Sequence, residues 1–145
     1  MTAALKPSVR TATADDIPAM HRIRLAVREN RLSVPGRITE DMYRPYVAQG
    51  SAWVAETDGK LAGFAILDAS AGTVWALFVD PQAQGLGIGT ALHDRMLSWP
   101  RERGIERLSL TTAPGTRAEH FYAAAGWEKA GFASDGDVRY IRELR

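Results

Sequence analysis

Apolar and polar positions follow two different periods along the chain. Between residues 17 and 27 the apolar side chains recur every third or fourth residue, which is typical of one face of a helix. From residue 51 to residue 79 the spacing changes to every second residue, which favours strands. A glycine-rich segment follows and opens another helical pattern. The chain therefore predicts one strand, two helices, three strands, a helix, a strand, a helix and two strands.

Turn and cap residues set the bounds of these elements. Asp58-Gly59 suits a tight hairpin, and Thr116 with Glu119 has the spacing of a helix capping box. Pro100 should end or kink the helix after the glycine-rich segment. The predicted elements are strand Ser8–Thr13, a helix that opens at Asp15, helix Thr39–Ala48, strands Ser51–Thr57, Lys60–Asp68 and Thr73–Val79, the helix after the glycines, strand Ile105–Thr111, helix Arg117–Ala125, and strands Trp127–Phe132 and Val138–Leu144.

This order of elements indicates an α/β (α+β) domain with a mixed sheet. Strands joined by hairpins pair antiparallel, whereas strands joined through a helix pair parallel. The chain has 145 residues, of which 46% are hydrophobic, and no low-complexity linker divides it. We therefore expect one domain with one core.

Composition and charge exclude several classes of function. The net charge of +1 provides no general field for gripping a nucleic-acid backbone. The chain has no cysteine, which excludes disulfides, a thiolate nucleophile and zinc sites built on cysteine, and its three histidines are dispersed, so we expect no metal. We find neither a secretory signal nor a run of about 18 apolar residues, and we therefore expect a cytoplasmic protein without a membrane partner.

The glycine-rich segment Gln84–Thr90 lies between a predicted strand and a predicted helix. Glycines let the backbone turn sharply and present free N–H groups beside the positive end of the helix, which makes an anion site. The segment lacks the Lys-Ser or Lys-Thr pair of the ATPase phosphate loop, and it comes too late in the chain for a dinucleotide fingerprint. A helix-entry turn without a ligand is the plain alternative.

Two segments carry a resemblance to a known family. Leu77–Pro81 followed by Gln84–Thr90 resembles the acyl-CoA-binding segment of the GNAT acetyltransferases, and Ala118–Trp127 is similar to their second segment. The order of elements resembles that family from Ser8 to Leu144. The resemblance implies a single GNAT-like domain over residues 1–145, with a mixed, mostly antiparallel twisted sheet of about six or seven strands and four flanking helices.

The resemblance also implies a cosubstrate, acetyl-CoA, and a site for it. Backbone groups of Leu77 and Val79 would pair with the pantetheine arm, and the turn Gln84–Thr90 would take the pyrophosphate; a buried strand is the plain reading of residues 77–79. Tyr122 matches the family tyrosine that protonates the departing thiolate. The expected cofactor-binding residues are Leu77, Phe78, Val79, Gln84, Gly85, Leu86, Gly87, Ile88, Gly89 and Thr90.

The acceptor is less well defined, because the chain departs from the family at the position of the base. Trp75 stands near the place where many relatives carry a glutamate, and a water relay is the alternative. Glu29 and Asn30, beside a loop that covers the acceptor cleft in similar proteins, are candidate substrate contacts. The acceptor would be a small-molecule or peptide amine, a hydroxyl acceptor stays open, and two copies could form a homodimer. A non-catalytic acyl-CoA-binding module is the rival function.

Overall fold

The computed structural model describes residues 7–27 and 38–144. The periodic patterns of the sequence form four α-helices and seven strands within that part of the chain. The strands are β1 (Ser8–Thr11), β2 (Ala52–Thr57), β3 (Lys60–Asp68), β4 (Thr73–Val79), β5 (Arg107–Thr112), β6 (Glu128–Phe132) and β7 (Val138–Glu143). The helices are α1 (Ile17–Ala26), α2 (Arg44–Gln49), α3 (Ile88–Glu102) and α4 (Arg117–Ala124).

The strands form one sheet in the order β1-β2-β3-β4-β5-β7-β6. Neighbouring strands pair antiparallel except β4 and β5, which are parallel. The last hairpin folds back so that β7, and not β6, lies against β5. The predicted mixed, mostly antiparallel sheet with four helices is confirmed.

Local signals produce the turns that were expected. Asp58 and Gly59 both have positive φ angles, 52° and 75°, and join β2 to β3 with Thr57 opposite Lys60. The Thr116 hydroxyl accepts a hydrogen bond from the Glu119 N–H at 3.2 Å and caps α4. Gly126, at φ 93°, follows that helix. Element bounds differ from the predicted ones by a few residues.

Two helices differ from their predictions. The stretch predicted as helix Thr39–Ala48 is a 3-10 turn, Glu40–Tyr43, followed by the six residues of α2. The expected early end at Pro100 is wrong, because α3 continues to Glu102. Pro100 lies in the last turn, where its missing N–H removes only one helical hydrogen bond.

The sheet separates two apolar clusters. On one face, α3 and α4 pack against the sheet around Trp53, Leu92 and Met96. On the other face, α1 and α2 cover Tyr43 and Phe64. Helices therefore cover both faces of the central strands, whereas β6 is exposed.

Candidate active site

Strands β4 and β5 diverge, and the space between them forms a cleft. They pair at a single register position, Thr73 opposite Ser109, beside a 2.9 Å hydrogen bond from the Ser109 N–H to the Gly72 carbonyl. A cavity of about 1090 Å³ opens along the rest of the two strands; we call it the β4–β5 cleft. Small-molecule sites commonly measure about 300–1,000 Å³, so this cleft has room for a long ligand.

The backbone of β4 offers unpaired polar groups to this cleft. The Asp80 N–H donates to the Ala62 carbonyl at 2.8 Å, which fixes the alternation of hydrogen bonds with β3. Alternate residues of an antiparallel strand direct their backbone groups to opposite sides, so those of Leu77 and Val79 face the cleft. The Gln84 side-chain amide already donates to the Val79 carbonyl at 3.3 Å. The backbone groups of Leu77 and Val79 thus face the cleft, and their contact with a pantetheine arm stays a prediction.

A bulge in β4 sets the directions of its side chains. The register passes from Ala76 opposite Ile66 to Val74 opposite Leu67, which leaves Trp75 as the extra residue. Trp75 packs beside Tyr43 and Tyr46, with ring centroids 5.3 and 5.0 Å away. The position at which the resemblance implies a carboxylate base therefore holds an aromatic ring in an aromatic cluster. Phe78 packs on the same side, whereas Leu77 and Val79 pack toward α3.

The glycine-rich turn closes one end of the cleft. Gly85 and Gly87 have φ angles of 81° and 79°, a left-handed conformation that favours glycine. Gly87 is the N-cap of α3 and brings no side-chain cap, so the first N–H groups of the helix keep their hydrogen-bonding capacity. These donors and the positive helix end meet at one point, and such an arrangement is suited to an anion.

The side chains of the turn divide between the surface and the core. Leu86 is 57% exposed, whereas Ile88 is buried in the cluster under α3, so Ile88 can offer a ligand only its backbone. A Cβ on Gly89 would lie 3.4 Å from Phe121 and 3.6 Å from Val79, which shows how closely α3 approaches β4 and α4. The Gln84 side-chain oxygen Oε1 accepts a hydrogen bond from Arg117 Nη1 at 3.4 Å, which ties the turn to α4.

Tyr122 projects from α4 and lines the cleft. Its side chain is nearly buried, with Phe121 and Trp127 at ring-centroid distances of 5.4 and 5.5 Å. Burial raises the pKa of the Tyr122 hydroxyl, which therefore stays protonated at neutral pH. The residue can act as a proton or hydrogen-bond donor and not as a base.

Behind Tyr122, a buried histidine holds the ring of Trp127. The Trp127 indole N–H donates to His93 Nε2 at 2.9 Å. Burial lowers the pKa of His93 and favours the neutral ring. Because Nε2 accepts the indole N–H, the proton of the neutral ring lies on Nδ1, which is 3.7 Å from the Asp94 carboxylate. His93 is therefore a packing residue.

The start of α4 contains a contact that the sequence did not predict. Glu119 does not complete the capping box on Thr116; its carboxylate accepts the Gly115 N–H at 2.8 Å and the Tyr140 hydroxyl at 2.8 Å. These two donors lower the pKa of Glu119. The loop that carries Gly115 is thereby tied to β7, and Thr116 serves as a cap.

Arg24 lines the cleft although it was not predicted to do so, whereas the two predicted substrate contacts are not described. Glu29 and Asn30 lie outside the described residues. Arg24 lines the cleft from α1 and is only 7% exposed. The sequence held a signal for Arg24, because it stands four residues after Met20 and seven after Ile17, on the apolar face of the helix.

Few titratable groups line the cleft. Asp137, at the β6–β7 turn, is the one carboxylate along it in the described part of the chain; burial, with the charge of Asp135, raises its pKa. Within residues 7–27 and 38–144, no group of three or more His, Asp and Glu side chains is placed to hold a metal ion. None of the helices in these same ranges has the length and apolar character needed to cross a membrane.

Comparisons with known proteins converge on one family. The family model described as "Acetyltransferase (GNAT) family" matches residues 18–127. The mycothiol acetyltransferase of Sanguibacter keddieii is 39% identical over 110 residues, which cover 66% of this chain and 35% of that protein. This chain thus spans about a third of the length of that relative.

Two other similarities extend over nearly the whole chain. The aminoglycoside N(6')-acetyltransferase type 1 of Stenotrophomonas maltophilia is 28% identical over 148 residues, which cover 94% of this chain and 92% of that protein. The N-acetylglutamate synthase of Neisseria gonorrhoeae, solved in complex with coenzyme A and N-acetyl-glutamate, superposes with a TM-score of 0.76 at 22% identity, covering 97% of this chain and 36% of that one. The second similarity shows the shared fold.

Proposed function

This chain belongs to the acetyltransferase (GNAT) family, and from that premise we propose that it transfers the acetyl group of acetyl-CoA directly to a primary amine. One observation carries the proposal: the β4–β5 cleft runs from the open backbone groups of Leu77 and Val79 to the free N–H groups of the glycine-rich turn. An extended ligand with amides in its middle and an anion at one end fits that arrangement.

The described residues fit acetyl-CoA in chemistry as well as in size. Backbone groups of Leu77 and Val79 would hold the amides of the pantetheine arm as a neighbouring strand would. The N–H groups of residues 85–90 would hold the pyrophosphate, each such bond to a charged acceptor contributing about 1.5–3 kcal/mol. Phe78 and Gln84 would contribute through the cleft wall and through the contact that orders the turn. When bound, acetyl-CoA supplies an activated acetyl thioester.

Tyr122 is the proposed donor to the sulfur as the C–S bond breaks, by a hydrogen bond from its hydroxyl. Its raised pKa keeps the hydroxyl protonated but also makes full proton transfer to a thiolate unfavourable, because the corresponding thiol has a pKa of about 8.5. Tyr122 would therefore stabilise the leaving sulfur chiefly by hydrogen bonding. Water in the open cleft would then protonate the thiolate. The contribution to the rate is real but limited.

The amine must lose a proton before it attacks. A primary amine with a pKa near 10.4 costs roughly 4–5 kcal/mol to neutralise at pH 7. Trp75 occupies the place of a direct carboxylate base and cannot accept that proton. We propose that water in the cleft relays it to solvent, which requires no acyl-enzyme and no protein nucleophile.

Small-molecule amines are the proposed acceptors. The relatives named above for mycothiol and for aminoglycosides support this class, and the protein that matches along 92% of its own length is the aminoglycoside enzyme. Peptide amines remain within the proposal, since the segment around Glu29 and Asn30 lies outside the described residues.

The test combines binding and turnover. Calorimetry with CoA should give saturable binding, and incubation with acetyl-CoA and a panel of amines should release free thiol with at least one acceptor. The Tyr122→Phe variant should bind CoA as the wild type does and turn over more slowly. Tyr46→Phe, which removes a hydroxyl bonded to Asp68 at 3.3 Å and outside the cleft lining, is the matched control.

The outcomes separate two functions. Thiol release that depends on an amine supports the transferase. Tight CoA binding with no turnover on any amine would support a non-catalytic acyl-CoA-binding module, a reading that the aromatic Trp75 in place of a base favours. No affinity for CoA would end both proposals.

A further inference from the structure

Arg24 is a buried cation on the apolar face of α1. It is 7% exposed, and its guanidinium carbon lies 4.5 Å from the ring centre of Trp75, 5.1 Å from that of Phe78 and 5.9 Å from that of Tyr43. The rings attract the cation through their faces. The guanidinium is therefore held in one place by three aromatic walls.

The Tyr43 side chain also interacts with Arg24 by hydrogen bonding, but two of the guanidinium nitrogens are left unsatisfied. Nε and Nη1 of Arg24 are buried without a hydrogen-bond partner, and no ion pair among the described residues includes Arg24. The polar atoms of a guanidinium are all donors, so only an acceptor can satisfy them. Buried donors in folded proteins are almost always paired, and an unpaired set next to a cavity points to a missing acceptor.

The position of Arg24 tells which ligand could supply that acceptor. Arg24 lines the β4–β5 cleft together with Ala26 and Val27 of the same helix end. Its aromatic neighbours Trp75 and Phe78 belong to the cluster under α1 and α2, whereas the glycine-rich turn leads into the cluster under α3. Arg24 and the proposed pyrophosphate site thus lie toward opposite faces of the sheet.

We propose that Arg24 binds an anionic group of the acceptor, a carboxylate or a phosphate, so that the acceptor is an amine that also carries negative charge. The planar guanidinium presents parallel N–H groups that match the two oxygens of such a group. An amino acid or an aminoalkyl phosphate fits this site, whereas a polycationic amine would meet a like charge. This inference rests on the proposed function and narrows its substrate class.

Matched acceptors test the charge requirement in turnover. The pairs are glycine against glycinamide, and O-phosphoethanolamine against ethanolamine, each with saturating acetyl-CoA. For at least one pair the wild type should prefer the anionic member in kcat/KM by about 10- to 100-fold, the value of one charged hydrogen-bonded contact. The pair that shows the preference identifies the oxyanion.

Three variants assign that preference to Arg24. Arg24→Met should abolish it with an unchanged Kd for CoA, and Arg24→Lys should keep part of it, because the charge remains and the paired N–H geometry is lost. Arg22→Met removes an exposed arginine from the same helix and should change nothing. A preference that survives in Arg24→Met, or equal rates for the members of both pairs in the wild type, overturns the proposal.

A measurement without turnover covers the case in which none of these amines is a good acceptor. In the wild type saturated with CoA, the Arg24 Nε–H resonance, identified by its loss in Arg24→Lys, should shift saturably with N-acetylglycine or O-phosphoethanolamine and not with N-acetylglycinamide. No shift with either anionic probe at any soluble concentration overturns the proposal. Failure of the proposed function is distinct, because there CoA itself would not bind or no amine would release thiol.

Discussion

Substitution of Gly87 by alanine tests whether the glycine-rich turn holds the anionic end of the cosubstrate. Gly87 has a φ of 79°, and a Cβ placed on it meets nothing within 4 Å. The substitution therefore causes no clash, and its whole cost is the left-handed backbone, roughly 1–2 kcal/mol for a residue with a Cβ. For a chain of this size that cost should lower the melting temperature by about 2–8 °C.

The same substitution should weaken CoA binding by more than it weakens folding. If the backbone relaxes away from the left-handed region, the N–H groups on either side of residue 87 turn from their common point. Loss of one bond of about 1.5–3 kcal/mol corresponds to about a 10- to 100-fold higher Kd. Calorimetry with CoA gives the Kd, and a thermal melt without ligand gives the change in stability.

Gly104 provides the matched control for that experiment. It has a φ of 74°, and a Cβ there also meets nothing within 4 Å, but it lies after α3 and outside the cleft lining. Gly104→Ala should lose a similar amount of stability and keep the wild-type Kd for CoA. If Gly87→Ala and Gly104→Ala bind CoA equally well, the pyrophosphate does not lie against the turn and the site has been misassigned.

Three further changes have expected outcomes. Tyr122→Phe should lower kcat by about 100-fold or less and leave the Kd for CoA unchanged, because the thiolate leaves tolerably well unaided; an unchanged kcat in thiol-release assays would remove Tyr122 from the mechanism. His93 has a folded pKa below 6.5, so it contributes stability that is present above pH 6.5 and is lost as the pH falls toward the folded value; melting curves of His93→Gln should show a weaker loss between pH 7.5 and 5.5, and equal slopes would contradict this. Gly63→Ala would place a Cβ 2.8 Å from the Phe78 carbonyl oxygen and 3.0 Å from Ile88 and Leu92, so denaturant titration should show a loss of about 1–3 kcal/mol, and no loss would mean that α3 shifts freely.

Features that depend on a few consecutive residues could be predicted from the sequence. The Asp58-Gly59 hairpin, the Thr116 cap and the left-handed glycines of the turn each depend on a few consecutive residues and appear where they were expected. The cofactor-side assignments of Leu77 and Val79 came from the family resemblance, and the pairing of β4 with β3 shows that the backbone groups of both residues face the cleft. Their contact with a ligand stays a prediction.

Features that depend on distant pairing could not be predicted. That β7 inserts between β5 and β6 is decided by contacts more than 25 residues apart, such as Arg107 opposite Glu143, and no short pattern encodes them. The role of Glu119 is similar: the capping-box spacing indicated a bond back to Thr116, but Tyr140 comes from another strand and draws the carboxylate away. Arg24 shows the reverse, because a charged residue on an apolar helix face was visible in the sequence and its aromatic neighbours were not.

The single register pair between β4 and β5 has a mechanical consequence. Strands β4 and β5 are joined at Thr73 and Ser109 and separate from each other beyond that pair. A long ligand bound between β4 and β5 would act as an eighth strand and would hold the two parts of the sheet together. The product would then have to leave from the end at which β4 and β5 are apart. The separation of the two strands would therefore govern both the affinity for the ligand and its rate of release.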